Sequence, residues 1–256
     1  MKYPNIKLCV FDIDGTLKRK KQKINKSIIN TIQTLQKENI YCTVATGRGF
    51  GTAIHDTQGI KFNAPLIILD GSCIVDYQKI NYFFLPLKDI EIERAENFVY
   101  RYHLEIESVG FWDPKHTKGY LYALPKYLSK LKKKYPDLRT KQHSSFETIL
   151  RLAHKKKPSL ISVKTLSKKK PPLKSTVVHD NGNLHFVNPH VSKKNAITKL
   201  CQQLSIKSKE VAVFGHDEDD LPIFDNKFGL KIAMRHATSQ VIKKADIVLD
   251  KIEDIL

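Results

Sequence analysis

The stretch Ile6-Lys7-Leu8-Cys9-Val10-Phe11-Asp12-Ile13-Asp14-Gly15-Thr16-Leu17 decides how the rest of the chain is read. It opens with a run of apolar and β-branched residues, of the kind that forms a strand buried on both faces in a parallel sheet. The run stops at two carboxylates, Asp12 and Asp14, with one apolar residue between them. Like charges that close destabilise each other unless a proton or cation lies between them. Gly15 lets the backbone leave the strand direction sharply. Asp and Gly are also common turn formers, but neither the apolar run nor Ile13 suits a solvated turn. In an open α/β sheet, ligands sit just beyond the carboxyl ends of the strands. The stretch therefore predicts a paired-carboxylate site with a metal, at the carboxyl edge of the first strand.

Outward from this strand, Ile28, Ile32 and Leu35 fall on one helical stripe, with Asn25 as N-cap and Asn39 as the left-handed residue that ends the helix. Residues 40–45 form a second strand ending in Thr46-Gly47-Arg48. Strand, helix and strand within one βαβ length make a parallel pair, which places Thr46 beside Asp12. A short helix is predicted over 50–58, and a third buried strand over 65–69 before Asp70-Gly71. A hairpin from residue 74 to 85 leads out of the core.

From about Phe83 to Asn188 the character changes. A helix over 88–102 and a strand over 105–111 are followed by a helix after Pro125 carrying Leu124, Leu128, Leu131 and Tyr135 on one stripe. Strands are predicted over 160–165, 176–178 and 183–187, with a loop at Lys168-Lys169-Lys170-Pro171-Pro172 and a turn at Asp180-Asn181-Gly182-Asn183. The aromatics Phe111, Trp112, Tyr120 and Tyr122 read as core sooner than as a ligand-binding face. Beyond this segment, Ser192 caps a helix whose first turn holds Lys193 and Lys194, although the helix dipole favours anions there. Lysines at that place make an anion site with the free N–H groups. Residues 211–214 form a fourth core strand, ending in Gly215-His216-Asp217-Glu218-Asp219-Asp220. Four successive acids there either decorate a helix N-terminus or surround something cationic. A fifth strand over 228–234, a helix over 238–244 and a sixth strand over 245–249 complete the pattern.

The 256 residues allow one large domain or two smaller ones, and 41% hydrophobic with 27% charged residues is a globular balance. No apolar run approaches the roughly 20 residues of a membrane span. Met1 to Asp12 enters a strand with no secretory pattern, and the four cysteines, Cys9, Cys42, Cys73 and Cys201, lack metal-like spacing. Together these point to a cytoplasmic protein with reduced thiols. The net charge is +18, and the segment from Phe83 to Asn188 carries +11 of it, with 21 Lys plus Arg against 10 Asp plus Glu. Such a charge suits acidic partners, either phosphorylated small molecules or nucleic acid, or a lysine-rich solvated surface.

Val10-Phe11-Asp12-Ile13-Asp14-Gly15-Thr16-Leu17 resembles the first motif of the haloacid dehalogenase superfamily. Val44-Ala45-Thr46-Gly47-Arg48 is similar to its second motif, Val191-Ser192-Lys193-Lys194-Asn195-Ala196-Ile197 to its third, and the acidic run after residue 215 to its fourth. The four stand in the family order, and the insertion between the second and third resembles the large cap of the Cof-type branch. The resemblance implies an α/β fold: a Rossmann-like parallel-sheet core from 1–82 and 189–256, with an α+β cap inserted at 83–188 that supplies specificity. It implies a phosphatase acting on a small phosphorylated metabolite through an aspartyl-phosphate. Asp12 would be the nucleophile and Asp14 the acid and base, the latter also lending its backbone carbonyl to the metal. Thr46 and Lys193 would stabilise the phosphoryl oxygens, while Gly47, Arg48 and Lys194 would make further phosphate contacts. The metal set would be Asp12, Asp14, His216, Asp217 and Asp220, with Mg²⁺ as the family ion. Two departures matter. His216 stands where the family has a metal-binding Asp, and imidazole suits Mn²⁺ better than Mg²⁺. Met234-Arg235-His236-Ala237 replaces a Met-Gly-Asn-Ala loop, adding two basic groups near the site. The alternatives are a weakened relative that binds phosphorylated ligands with little turnover, and a nucleic-acid-associated protein.

Overall fold

The structure is a computed structural model, describing residues 5–19, 22–116, 118–166, 176–178 and 183–256, with the backbone alone for 176–178. The predicted loop at 168–172 and the residues of the predicted turn at 180–182 lie outside the described residues.

The chain begins as β1 (Leu8–Phe11), α1 (Lys26–Lys37), β2 (Tyr41–Val44), α2 (Phe50–Asp56), β3 (Leu66–Ile68), β4 (Cys73–Val75) and β5 (Asn81–Phe84). The middle segment holds α3 (Asp89–Arg101), β6 (Ile106–Trp112), β7 (Gly119–Ala123), α4 (Pro125–Lys134), β8 (Thr140–Gln142), α5 (Phe146–Lys156), β9 (Leu160–Thr165), β10 (Thr176–Val178) and β11 (Asn183–Val187). The last part is α6 (Lys193–Gln203), β12 (Val211–Gly215), β13 (Leu230–Met234), α7 (Ser239–Lys244) and β14 (Ile247–Leu249).

Five strands, in the order β14-β13-β12-β1-β2, form an all-parallel sheet. β1 lies inside it, with Phe11 level with Val44 on one side and Phe214 on the other. Successive side chains of a strand face opposite ways, so β1 feeds two cores. Cys9 and Phe11 pack with Ile32 and Leu35 of α1, while Leu8 and Val10 pack with Ala196, Ile197 and Leu200 of α6. Burial on both faces is what the continuous apolar run requires, and it leaves only the carboxyl end open for chemistry.

The third predicted core strand departs from expectation. β3 meets the parallel sheet through a single bridge, Ala45 to Ile67, and otherwise pairs antiparallel with β4, which pairs antiparallel with β5. Asp70 and Leu69, at φ of 59° and 52°, turn the chain back immediately and leave no length for a longer ladder.

The middle segment builds a six-stranded sheet, β10-β11-β9-β6-β7-β8, antiparallel except for the β7–β8 pair. Its core of Ile92, Phe98, Val109, Ile149, Ile161 and Phe186 is separate from the two around the parallel sheet. Phe111 is buried there and stacks on Tyr120, and Tyr120 and Tyr122 pack against it, as read from the sequence. Trp112 instead faces the other way and packs against the core that contains Phe50 and Ala53. β7, β8 and α5 were not predicted, although Ser145 caps α5 by accepting from the Thr148 N–H.

Candidate active site

Asp12 directly follows β1, its N–H donating to the Phe214 carbonyl at 3.0 Å, so the carboxylate stands at the carboxyl edge of the sheet. Lys193 reaches it from the first turn of α6. Ser192 caps that helix by accepting from the Asn195 N–H. Gly71, at φ +93°, lies so close to α6 that a Cβ there would come within 2.5 Å of the Ser192 carbonyl oxygen. The buried Lys193 ammonium stands 3.1 Å from Asp12 Oδ1, 3.1 Å from Asp219 Oδ2 and 2.6 Å from Asp220 Oδ1. One cation among three carboxylates keeps its proton firmly: burial opposes the charge, but the acids outweigh it.

His216 follows β12 and packs against Gly15, where a Cβ would come within 2.1 Å of its Nε2. Its Nδ1 is 3.6 Å from Asp12 Oδ2 and 3.5 Å from Asp220 Oδ2, and it is buried without a hydrogen-bond partner. Burial disfavours the imidazolium, but Asp220 and Asp12 prevail and push the imidazole up to about 9. Asp12 moves the opposite way from an ordinary ion-paired acid. Burial and the charge of Asp220 raise its carboxyl well above the usual range, and Lys193 and His216 only partly offset them. Asp220 is held low despite its burial, by Lys193 and His216.

The ligand atoms of Asp12, His216 and Asp220 all lie within 4.8 Å of one another. The Asp12 and Asp220 carboxylates and the His216 Nδ1, which has no hydrogen-bond partner, make a donor set that a divalent cation fits. Of the other two expected metal residues, Asp217 has its carboxylate accepting from the Glu218 N–H at 2.7 Å at the start of a 3-10 turn, whose first N–H groups need an acceptor. Asp14, expected to offer its backbone carbonyl, has its side chain paired with Arg48.

That second pairing is a site of its own. Arg48 Nε donates to Asp14 Oδ2 at 2.6 Å and a terminal nitrogen to Asp14 Oδ1 at 2.7 Å, a fork-on-fork contact. The remaining nitrogen is 2.7 Å from Asp56 Oδ2 and donates to the Tyr135 hydroxyl at 2.6 Å. Tyr135 donates to Asp56 Oδ2 at 3.0 Å, and Lys18 stands 3.0 Å from Asp56 Oδ1. Burial raises the Asp14 carboxyl, but Arg48 more than reverses this and holds it below the ordinary value.

Thr46 is buried, its Oγ accepting from the Arg48 N–H at 3.2 Å across Gly47. The Lys194 ammonium is 2.6 Å from Asp225 and pairs with that carboxylate, not with the acids around Lys193. Sequence reasoning missed Asp219 as a Lys193 partner, although it stood in the acidic run. It also missed Asp56, Tyr135, Lys18 and the buried Asp70–His185 pair at 2.6 Å. Of the two added basic groups, His236 does come to the site, its Nε2 donating to the Gly15 carbonyl at 2.7 Å, while Arg235 pairs with Asp250.

Among known proteins, the chain is 25% identical over 253 residues to the stress response protein YhaX of Bacillus subtilis, covering 94% of this chain and 87% of that one. Its fold is similar to a HAD/COF-like hydrolase of Plasmodium vivax, with a TM-score of 0.79, 18% identity, and 96% and 90% of the two chains covered. It is also similar to BT4131, a sugar phosphatase of HAD subclass IIB, with a TM-score of 0.76, 17% identity, and 97% of each chain covered. Among the described residues, no helix is long and apolar enough to cross a membrane. Residues 9–254 match the family described as haloacid dehalogenase-like hydrolase, and the chain belongs to that family.

Proposed function

We propose that the protein is a divalent-metal-dependent phosphatase of small phosphorylated metabolites, working through an aspartyl-phosphate on Asp12. The observation that carries this reading is the placement of Asp12 against the Lys193 ammonium at the open edge of a sheet otherwise buried on both faces. Asp12 Oδ attacks phosphorus as the bond to the leaving oxygen breaks, and Asp14 gives that oxygen its proton. Water then attacks the phosphorus of the aspartyl-phosphate, passing a proton to Asp14, and Asp12 is released as carboxylate. Lys193 and the Thr46 hydroxyl offset charge on the phosphoryl oxygens, which is the main work in phosphoryl transfer. A cation held by Asp12, His216 and Asp220 would supply the remaining positive charge and keep Asp12 ionised. Segment 83–188 would act as the cap that selects the substrate.

A second reading, capture of phosphorylated ligands with little turnover, is favoured by His216. As an imidazolium between Asp12 and Asp220, it places a positive charge where the cation belongs. Hydrolysis of p-nitrophenyl phosphate with Mn²⁺, Mg²⁺ or chelator separates the two. The phosphatase reading expects metal-dependent turnover, lost in Asp12→Asn. No turnover in the wild type, with gain in His216→Asp, favours the second.

A further inference from the structure

We propose that Tyr135, from the middle segment, is a positioning residue for the reaction: through Arg48 it sets where the Asp14 carboxylate stands. This rests on the reading of Asp14 as the group that protonates the leaving oxygen. The chain of contacts is continuous. Tyr135 ends α4, is nearly fully buried, and its hydroxyl accepts from Arg48 at 2.6 Å while donating to Asp56 at 3.0 Å. The other two donors of the same guanidinium grip both oxygens of Asp14. A guanidinium is planar and rigid, so fixing one nitrogen fixes the direction of the other two, and with them the carboxylate.

The anchor is fixed from below as well. Asp56 is buried in α2 and shares its two oxygens between Lys18 on one side and Arg48 and Tyr135 on the other. The Asp14 side chain has no such enclosure, being about half exposed. Its orientation therefore comes from Arg48. Tyr135 in turn reports the seating of the middle segment. That segment is held against the first by the Trp112 indole over Gly49, by Asn81 donating to the Pro114 carbonyl at 2.7 Å, and by Ser72 donating to Ser159 at 2.9 Å. With the segment seated by these contacts, the Tyr135 hydroxyl reaches Arg48. The acid group is thereby aligned when the segment is in place over it.

The test is Tyr135→Phe, which keeps the ring and removes the hydroxyl, assayed with two esters of similar shape. p-Nitrophenolate leaves without needing a proton, whereas phenolate needs one. A misplaced acid should therefore lower kcat/KM for phenyl phosphate on the order of tenfold and for p-nitrophenyl phosphate by less than about twofold, a part of the 10²–10⁴ that general acid catalysis supplies. Asp56→Asn, with the same anchor weakened from the other side, should show the same split. Equal losses on the two esters, or none, overturn the inference and leave the phosphatase reading standing. Failure of the wild-type protein to hydrolyse either ester overturns both.

Discussion

Asp12 and Asp14 have a single residue between them, yet the protein treats them in opposite ways. Asp12 is buried with Asp219 and Asp220 around a single ammonium, so acids outnumber the ordinary cations and its carboxyl is raised. Asp14 faces a whole guanidinium, and its carboxyl is lowered. Strand alternation alone would put residues two apart on one face; the difference arises because β1 ends at Phe11 and the chain turns through Ile13 and Gly15, at φ +81°, so that the two carboxylates leave the sheet into different surroundings. Where two carboxylates divide the roles of nucleophile and proton donor, the donor is the raised one; here the raised one is Asp12, so the proposed roles need a cation's charge at Asp12 to reverse the order. Proximity in sequence says nothing of this; the partners arrive from residues 48, 193 and 220.

The contrast can be broken most severely in turnover. Asp12→Asn should lower kcat on the order of ten-thousandfold with any ester, as expected for loss of a nucleophile. Asp14→Asn should spare p-nitrophenyl phosphate relative to phenyl phosphate. If the two variants lose activity alike across both esters, the two carboxylates do not have separate roles. Next in size is the Arg48 anchor. Arg48→Met leaves Asp56 buried with Lys18 as its main counter-charge, and urea unfolding should show a loss of about 3 kcal/mol, the low end for a broken buried ion pair. A loss below about 1 kcal/mol would mean that Lys18 suffices.

Stability should also separate the two acids in sign. Removing the destabilised anion in Asp12→Asn should raise the unfolding free energy at pH 7 by about 1 kcal/mol or more, while abolishing turnover. Asp14→Asn should lower it by well under 1 kcal/mol, because the pair is half exposed. Identical shifts in one direction would show that the inner group is as well compensated as the outer. The smallest effect lies in acid. Asp14 and Asp56 have depressed carboxyls, so the stability they contribute is present above the unfolded value of about 4 and is lost as the pH falls through their lower folded values. Asp12, being raised, contributes the other way: its share is present at low pH and is lost as pH rises from about 4 toward its folded value. Unfolding curves between pH 3 and 6 for the wild type and Arg48→Met should diverge as pH rises, and parallel curves would remove Arg48 as the cause.

Much of this was readable in the chain, for a definite reason. Asp12, Thr46 and Lys193 each sit where an apolar run ends or a capped helix begins, and parallel-sheet topology brings such ends to one edge. Asp56 and Tyr135 sit in no such place. They are 79 residues apart and meet through side-chain reach alone, which no periodicity encodes. β7 was missed because Gly119 and Ala123 interrupt an otherwise clear Tyr120-Leu121-Tyr122 alternation, and its partner β8 has only three residues. That Asp217 caps the turn was not legible, because an acid at a helix start serves as cap or ligand equally well.

The position of β1 also bears on how the protein is made. β2 follows it closely in the chain, but its other neighbour, β12, begins at Val211. During synthesis β1 and β2 leave the ribosome early, and one edge of β1 keeps its hydrogen-bonding groups unpaired until nearly the whole chain has emerged. The middle segment closes its own core before that point, since the members of that core lie between Leu87 and Phe186. Pairing across so long an interval is slow and exposes a template for wrong partners. The residues of the candidate site are thus joined last, and Asp12 and Lys193 meet only when the final third of the chain arrives.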